Sequence, residues 1–164
     1  MTEELADETR WLAPDEQRSW RALLIGTTLL MDQLDEELRS EFSLSLTEYE
    51  ILVRLSETPE GSMRMALLAD AVRHSRSRIT HTVTRMEKAG LVARSTCVED
   101  GRGVLCVMTE HGWDVLRRAA HVHVRGVRRH LVDIVDPADF AAMGRVMDAV
   151  ADALIGARPG LEIR

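Results

Sequence analysis

Basic and hydroxyl side chains are concentrated between residues 73 and 102, in a pattern suited to contact with a nucleic acid. This stretch holds seven basic residues against three acidic ones, a net charge of +4, whereas residues 1–50 have a net charge of −9. The whole chain has a net charge of −6, which taken alone argues against a nucleic-acid partner. A basic patch on an otherwise acidic protein is nevertheless the electrostatic pattern expected of a DNA-binding face. The alternative is a solvated charged helix, and the elements predicted around the patch favour DNA.

The candidate DNA contacts divide between base edges and phosphates. Arginine can pair with guanine in the major groove, and serine or threonine can bond either bases or phosphates. We assign base-edge contacts to six residues: Ser75, Arg76, Ser77, Arg78, Thr80 and His81. Phosphate contacts, whose strength depends on salt, are assigned to Thr84, Arg85 and Arg94. The structural alternatives are an intrahelical ion pair for Arg85 and a solvent-facing polar role for His81.

A helix followed by a β-hairpin is predicted to position these side chains. Three apolar residues at i, i+4 and i+7 give one buried helical face: Ile79, Val83 and Met86. Gly90 is expected to end the helix with a left-handed cap. Two β-prone runs, Leu91–Val98 and Val104–Met108, flank the polar, glycine-rich turn 99–103. This order of elements is typical of a winged helix, in which a helix enters the major groove and a wing lies beside it.

Two helices are predicted before this unit. Pro14, with two acidic residues behind it, marks the start of a helix that ends near Glu41. Its apolar stripe could pack inside one subunit, but its length of roughly 26 residues suits a helix that packs between subunits. The second helix is predicted to begin with a capping box formed by Thr47 and Glu50, and to end near Ser56.

Short elements and two longer helices complete the prediction. A possible strand and a short helix are expected at 62–64 and 65–72, and Ser75 or Ser77 is expected to cap the recognition helix. Thr109 caps a further helix, for which we predict an apolar stripe: Trp113, Leu116, Ala120, His123 or Val124, Val127 and Leu131. The last helix is predicted to start at Asp136-Pro137 and to stop at Gly156.

Composition limits the class of protein. At 164 residues the chain is one domain or slightly more, and its hydrophobic content of 45% is ample for a core. No apolar run approaches the ~20 residues of a membrane span, and the acidic N-terminus does not resemble a secretory signal. Two cysteines form no disulfide framework, so we expect a cytoplasmic protein.

Several short motifs occur in a defined order and spacing along the chain. They are Leu46-Thr47-x-x-Glu50-x-Leu52, Leu68-Ala69, Ser77-Arg78-x-Thr80, Arg85-Met86-Glu87-Lys88-Ala89-Gly90-Leu91-Val92, Glu99-Asp100-Gly101-Arg102-Gly103 and Met108-Thr109-x-x-Gly112. Together, over about residues 15–156, they resemble the MarR family of transcriptional regulators. The resemblance implies a mainly α, dimeric winged helix-turn-helix fold of about six helices with a small β-hairpin wing. It also implies a homodimer that binds a pseudo-palindromic operator in double-stranded DNA. Such a regulator is usually a repressor, released by a small-molecule effector or by oxidation.

The resemblance also implies a division of the chain. Residues 14–45 and 109–156 would form a helical dimerisation region, and residues 46–108 the DNA-binding domain. Residues 1–13 and 157–164 would be an N-terminal extension and a tail.

The resemblance assigns roles in the wing and in an effector site. Arg102 would enter the minor groove and Asp100 would brace the wing through an ion pair, although Gly101 replaces an arginine that many relatives carry. The alternative for Arg102 is an exposed hairpin tip. A ligand would bind where the dimer helices meet the DNA-binding domain, in a pocket drawing on five residues: Trp20, Arg21, Leu24, Trp113 and His121.

Other functions leave weaker traces in the sequence. Cys97 and Cys106 lie on the two predicted strands and could face each other, but a thiol switch needs a low-pKa thiolate. Four histidines leave a metal-responsive regulator open as an alternative: His111, His121, His123 and His130. Their spacing resembles no zinc motif, so we expect neither a bound metal nor another cofactor. We also expect no enzyme, since no catalytic signature and no room for a catalytic domain are present. A protein-interaction module that has lost DNA binding would be recognised by the absence of salt-dependent duplex binding.

Overall fold

The computed structural model describes residues 9–96 and 103–156, and it confirms the predicted mainly α architecture with a small wing. In chain order the elements are α1 (Pro14–Phe42), α2 (Leu46–Ser56), β1 (Ser62–Arg64), α3 (Met65–Ala71), α4 (Arg76–Lys88), β2 (Val92–Thr96), β3 (Val104–Met108), α5 (Glu110–Val127), a π-helical turn (Arg128–Val132) and α6 (Pro137–Gly156). The strands form an antiparallel sheet in the order β1-β3-β2.

Helix α1 begins and ends much as its sequence predicts. Pro14 occupies the first position, and the Glu16 carboxylate accepts a hydrogen bond of 2.7 Å from the backbone N–H of Ala13. Ser43, with a φ of 53°, ends the helix in the left-handed region. The last third of α1 packs against α5 and buries Leu34 and Leu38, whereas the preceding turns are exposed.

The start of α2 differs from the predicted capping box. Ser45, not Thr47, is the N-cap residue, and its Oγ accepts from the backbone N–H of Glu48 over 3.2 Å. The Glu48 carboxylate in turn accepts from the Ser45 backbone N–H over 2.8 Å. The prediction from Thr47 and Glu50 was therefore displaced by two residues, because both positions fit the same serine-or-threonine rule. Asp35 of α1 accepts from the backbone N–H of Leu46 over 2.7 Å and so ties the two helices together.

The hydrophobic core lies between α2, α3, α4 and the sheet, with the end of α1 and the first half of α5 closing it. Its side chains are mainly aliphatic, and Tyr49 also contributes to it. The most deeply buried large side chains are Leu38, Leu44, Ile51, Leu52, Leu55, Leu68, Ile79, Val83, Met86, Val92 and Cys106. The predicted stripe of α4 is thus confirmed, and the opposite face of that helix is left to solvent.

The chain passes from α4 into the wing at a glycine in the left-handed backbone region. Gly90 has a φ of 72°, which confirms the predicted stop. Strand β2 then pairs with β3 from Val92 opposite Met108 to Thr96 opposite Val104. In this register the residue opposite Cys106 is Arg94, whereas the sequence had left open that Cys97 could lie near it. Cys97 itself lies outside the described residues.

Helix α5 buries a different face from the one predicted. Thr109 is the N-cap, as expected, but the buried residues are Gly112, Val115, Leu116, Ala119, Val122 and Gly126. Of the predicted stripe, Leu116 is buried and Val124 is 56% exposed, and the others are half-buried: Trp113, Ala120, His123, Val127 and Leu131. Valine and alanine occur on both faces of this helix, so apolar spacing alone could not fix its rotation. A Cβ atom at Gly126 would lie 2.8 Å from Leu34, so a glycine lets α1 approach.

Helix α6 extends from the rest of the protomer. It starts at Pro137, where the Asp136 carboxylate accepts from the backbone N–H of Ala138 over 2.7 Å, as the Asp-Pro motif predicts. It makes little contact with the other described elements. Among the described helices, α6 included, none is long and apolar enough to cross a membrane.

Candidate nucleic-acid interface

The first turns of α4 present polar side chains to solvent. Ser75 is the N-cap, and its Oγ accepts from the backbone N–H of Arg78 over 3.3 Å. All six residues that the sequence assigned to base edges are exposed: Ser75, Arg76, Ser77, Arg78, Thr80 and His81. The helix therefore brings the predicted set together on one solvent-facing surface, which we call the α4 face.

Arginine and hydroxyl groups on the α4 face differ in what they can still donate. The Thr80 and Thr84 hydroxyls donate to the backbone carbonyls one turn earlier, over 2.9 and 2.8 Å. In the cap the Ser75 oxygen only accepts, and Ser75 and Ser77 share a hydrogen bond of 3.2 Å in which either hydroxyl can donate. The guanidinium groups of Arg76 and Arg78 are exposed at the helix start, where a donor fork can meet a base edge or a phosphate.

Arg85 forms an ion pair with a residue of α2. The alternative considered from the sequence was a pair within α4 itself. Arg85 Nε and Nη2 donate to Glu48 Oε1 over 3.0 and 2.9 Å. Burial pushes the pKa of Glu48 upward, but hydrogen bonds from Ser45 and Arg85 outweigh it, so this pKa lies below its ordinary value. The carboxylate therefore stays ionised and joins the start of α2 to the recognition helix.

Among the described arginines that were predicted to bind DNA, Arg94 is the most enclosed. Its side chain is 25% exposed, and Nη1 forms an ion pair of 2.6 Å with Glu87 of α4. The phosphate roles of Arg85 and Arg94 thus remain predictions, and the structure adds an intramolecular carboxylate partner for each.

A cleft at the base of the wing adds a residue that the sequence analysis missed. Arg64, at the end of β1, lines a cavity of about 340 Å³ together with Arg76, Thr80 and Gly103. Arg64 precedes the short helix α3, and no periodicity in the sequence linked it to the α4 face. The pairing of β1 with β3 and the packing of α3 on α4 bring it there.

Asp100 and Arg102, predicted to brace the wing and to enter the minor groove, lie outside the described residues. Cys106 is fully buried, and this burial raises the pKa of its thiol to about 12. A thiol with this pKa is protonated at neutral pH, so Cys106 does not fit a redox sensor.

The five residues predicted for the effector pocket do not meet within one protomer. Trp20, Arg21 and Leu24 are exposed on the first half of α1, whereas Trp113 packs against Gly61 beside the sheet. His121 lies elsewhere, in an open groove along α5. The predicted pocket, placed where the dimer helices meet the DNA-binding domain, therefore stays a prediction.

A different cavity lies where α1, α2 and α5 meet. It measures about 410 Å³ and is lined by Met31, Leu46, Tyr49, Glu50, Val53, Arg54, Glu57 and His123. Within the described part of the chain, Arg54 Nε and His123 Nδ1 are buried and have no hydrogen-bond partner. Burial raises the pKa of Glu50 and lowers that of His123, so both groups are held toward their neutral forms. Unpartnered buried nitrogens at a cavity wall are suited to bonding a small polar ligand.

The histidines that invited a metal hypothesis are dispersed. His123 stacks on Tyr49 with ring centroids 4.7 Å apart, and His130 bonds Glu37 over 2.7 Å. His121 is exposed on α5. Within residues 9–96 and 103–156, no three potential metal-ligating side chains are grouped.

Comparison with known proteins places this arrangement among transcriptional regulators. The MarR family profile matches residues 44–104, which run from the start of α2 into the wing. The curated regulator PecS of Dickeya dadantii, described as an HTH-type transcriptional regulator, is 28% identical over 120 residues. That alignment covers 70% of each chain.

Two solved structures from Streptomyces coelicolor resemble nearly the whole chain. AbsC, a MarR family transcriptional regulator, is 44% identical with a TM-score of 0.84, and the match covers 90% of this chain and 99% of AbsC. Sco3205, a MarR family regulator solved in complex with DNA, is 39% identical with a TM-score of 0.86 over 94% of each chain.

Proposed function

Since this chain belongs to the MarR family of transcriptional regulators, we propose that it binds double-stranded DNA through the α4 face and the wing. The supporting observation is the exposed set of basic and polar side chains on α4, in a chain that is acidic overall. The DNA complex of Sco3205 supports the same partner by analogy. The function proposed is regulation by binding, without catalysis.

We propose that the DNA-binding form is a homodimer. The apolar face of α6 is exposed in the protomer, as is a second apolar surface on the first half of α1: Trp20, Leu23, Leu24, Ile25, Leu29, Phe140, Met143, Val146, Met147 and Val150. Exposed apolar surface of this extent favours burial by a partner. Residues 14–45 and 109–156 would then form the dimerisation region, and residues 46–108 the DNA-binding domain.

A two-fold dimer would present the α4 face twice. Half-sites would lie about one duplex turn apart, ~34–36 Å, and would form an inverted repeat because the protein has matching symmetry. Binding such an operator across a promoter is the basis for proposing a repressor. A transcription assay with and without the protein, on a template carrying the selected site, tests repression directly: a rise in transcript would contradict it.

We propose that a small-molecule effector binds the cavity between α1, α2 and α5 and releases the DNA. The volume of about 410 Å³ suits a compact ligand, and the two unpartnered nitrogens of Arg54 and His123 call for polar groups on it. An apolar or aromatic body with one hydrogen-bonding end fits this lining. Release requires that the ligand bind better to a dimer whose α4 helices are wrongly spaced for DNA.

The effector proposal is tested by a thermal-shift panel of small aromatic and aliphatic acids and their amides. A compound that raises the melting temperature of the wild type, and not that of His123→Leu, would support the cavity. The variant Trp113→Phe alters a side chain outside this cavity and serves as the control. A compound that stabilises the wild type and His123→Leu equally would contradict the cavity as the site.

A further inference from the structure

Strand β2 of the wing is bonded to the recognition helix through one residue, Arg94. Its Nη1 donates to Glu87 Oε2 over 2.6 Å, and its Nη2 donates to the Thr80 carbonyl and to Thr84 Oγ1, each over 2.9 Å. The Arg94 backbone N–H donates to Glu87 Oε1 over 3.1 Å. These bonds run from a single residue of β2 to two successive turns of α4.

The geometry leaves the Arg94 guanidinium little capacity for a phosphate. Arginine has five N–H donors in a rigid planar fork, and both hydrogens of Nη2 are directed at fixed acceptors on α4. Nη1 faces the Glu87 carboxylate, which would repel a phosphate brought to the same group. By contrast, the Arg76 guanidinium is exposed on the α4 face.

We propose that Arg94 is a positioning residue for DNA recognition, which fixes the wing at a set angle to α4 through Glu87 instead of contacting the DNA backbone. This proposal rests on the proposed DNA-binding function. Because β2 pairs with β3 along its whole described length, holding Arg94 holds both strands of the wing. A wing ordered before binding spares the complex the entropic cost of ordering it on the DNA.

The variant Glu87→Ala separates the two roles by the sign of its effect. Removing this carboxylate deletes a negative charge near the DNA and frees Arg94. If Arg94 bound a phosphate, operator affinity would rise. If Arg94 acts by holding the wing, affinity falls, by about tenfold or more, because Glu87→Ala removes both bonds that this carboxylate accepts from Arg94. A rise in affinity overturns the proposal.

Salt dependence gives a second test, with Arg76→Gln as the matched control. Loss of one phosphate contact lowers the slope of log K against log salt by about 1. We expect Arg94→Gln to weaken operator binding while the slope keeps its wild-type value. If Arg76 contacts a phosphate, Arg76→Gln will reduce the slope. Arg94→Lys, which retains the charge and loses the fork, is expected to weaken binding nearly as much as Arg94→Gln. A reduced slope for Arg94→Gln, or wild-type affinity for Arg94→Lys, overturns the proposal.

Amide hydrogen exchange on the free protein distinguishes this proposal from the function on which it rests. In Arg94→Lys, the amides of β2 and β3 should exchange faster than in the wild type, while those of the α2 core stay unchanged and report an intact fold. Unchanged amide exchange in β2 and β3 contradicts the proposed positioning role of Arg94. A wild type that binds no duplex at any salt would overturn the proposed function itself, and with it any role of Arg94 in recognition.

Discussion

The arginines on and around α4 cannot be distinguished in the sequence, but their contacts in the structure differ. Arg76 and Arg78 are exposed at the helix start, whereas Arg85 and Arg94 each pair with a carboxylate. The sequence placed all four on a basic face because charge and spacing are visible in it. It could not show that Glu48, distant in the chain, reaches Arg85, since that contact depends on how α2 packs on α4.

The buried carboxylate of Glu48 should make stability depend on pH in the acidic range. Its pKa lies below the ordinary value of 4.5, so ionised Glu48 stabilises the folded state fully above that pH. The contribution is lost as the pH falls below 4.5 through the lower folded-state pKa. We expect Glu48→Gln to lower the free energy of unfolding at pH 7 by about 1–2 kcal/mol.

Urea denaturation of wild type and Glu48→Gln at several pH values checks this expectation. The difference between the two proteins should narrow as the pH falls, because the wild-type side chain then becomes a neutral acid. A difference that stays constant from neutral to acidic pH would show that Glu48 stabilises the fold without its charge.

The buried thiol of Cys106 should be inert in the folded protein. With its pKa raised to about 12 by burial, it carries almost no thiolate at pH 8, and access is blocked as well. In a Cys97→Ser variant, which leaves Cys106 as the remaining thiol, we expect a disulfide reagent to react only after denaturant is added. Rapid reaction of the native variant would reopen the redox hypothesis.

At the scale of elements, most helix boundaries could be predicted from the sequence. Pro14, Gly90 and Asp136 act through local backbone rules, and the helix boundaries they predict are confirmed. The two errors, the cap of α2 and the buried face of α5, arose where several residues satisfied one rule. The choice there was made by tertiary packing, through Glu48 at the cap and through the close approach of α1 to Gly126 on α5.

The cap of α2 can be tested by a matched pair of substitutions. Ser45→Ala removes a hydroxyl whose oxygen accepts from the Glu48 N–H and whose O–H donates to the Glu48 carboxylate. This substitution should cost about 1 kcal/mol or more. Thr47→Ala removes the oxygen of the misassigned cap and should change stability by less than about 0.5 kcal/mol. Thermal melts of the two variants make the comparison, and equal losses would favour the original assignment.

At the scale of the whole molecule, exposed apolar surface and basic surface lie on different parts of the protomer. The apolar surface is on α1 and α6, and the basic surface is on α4 beside the wing. This separation lets one surface join two copies while the other meets DNA. The sequence suggested the dimer from helix length. The effector cavity could not be predicted, because α5, which supplies His123, lies far along the chain from α1 and α2.

Light scattering on the purified protein tests the dimer apart from DNA. We expect a mass of two chains, about twice 18.4 kDa. Replacing the exposed pair Met143 and Met147 on α6 with glutamate should shift the protein toward monomer, because charged groups would then face the apolar interface. A wild-type protein that is monomeric at micromolar concentration would contradict the proposed assembly.

Selection of binding sites from random duplexes tests the central claim most directly. The wild type should enrich an inverted repeat whose half-sites are centred about 10 base pairs apart, and a variant with Arg76 and Arg78 changed to alanine should lose that enrichment while keeping its fold. Failure of the wild type to enrich any repeat, or the same enrichment by the double variant, would contradict recognition of DNA by the α4 face.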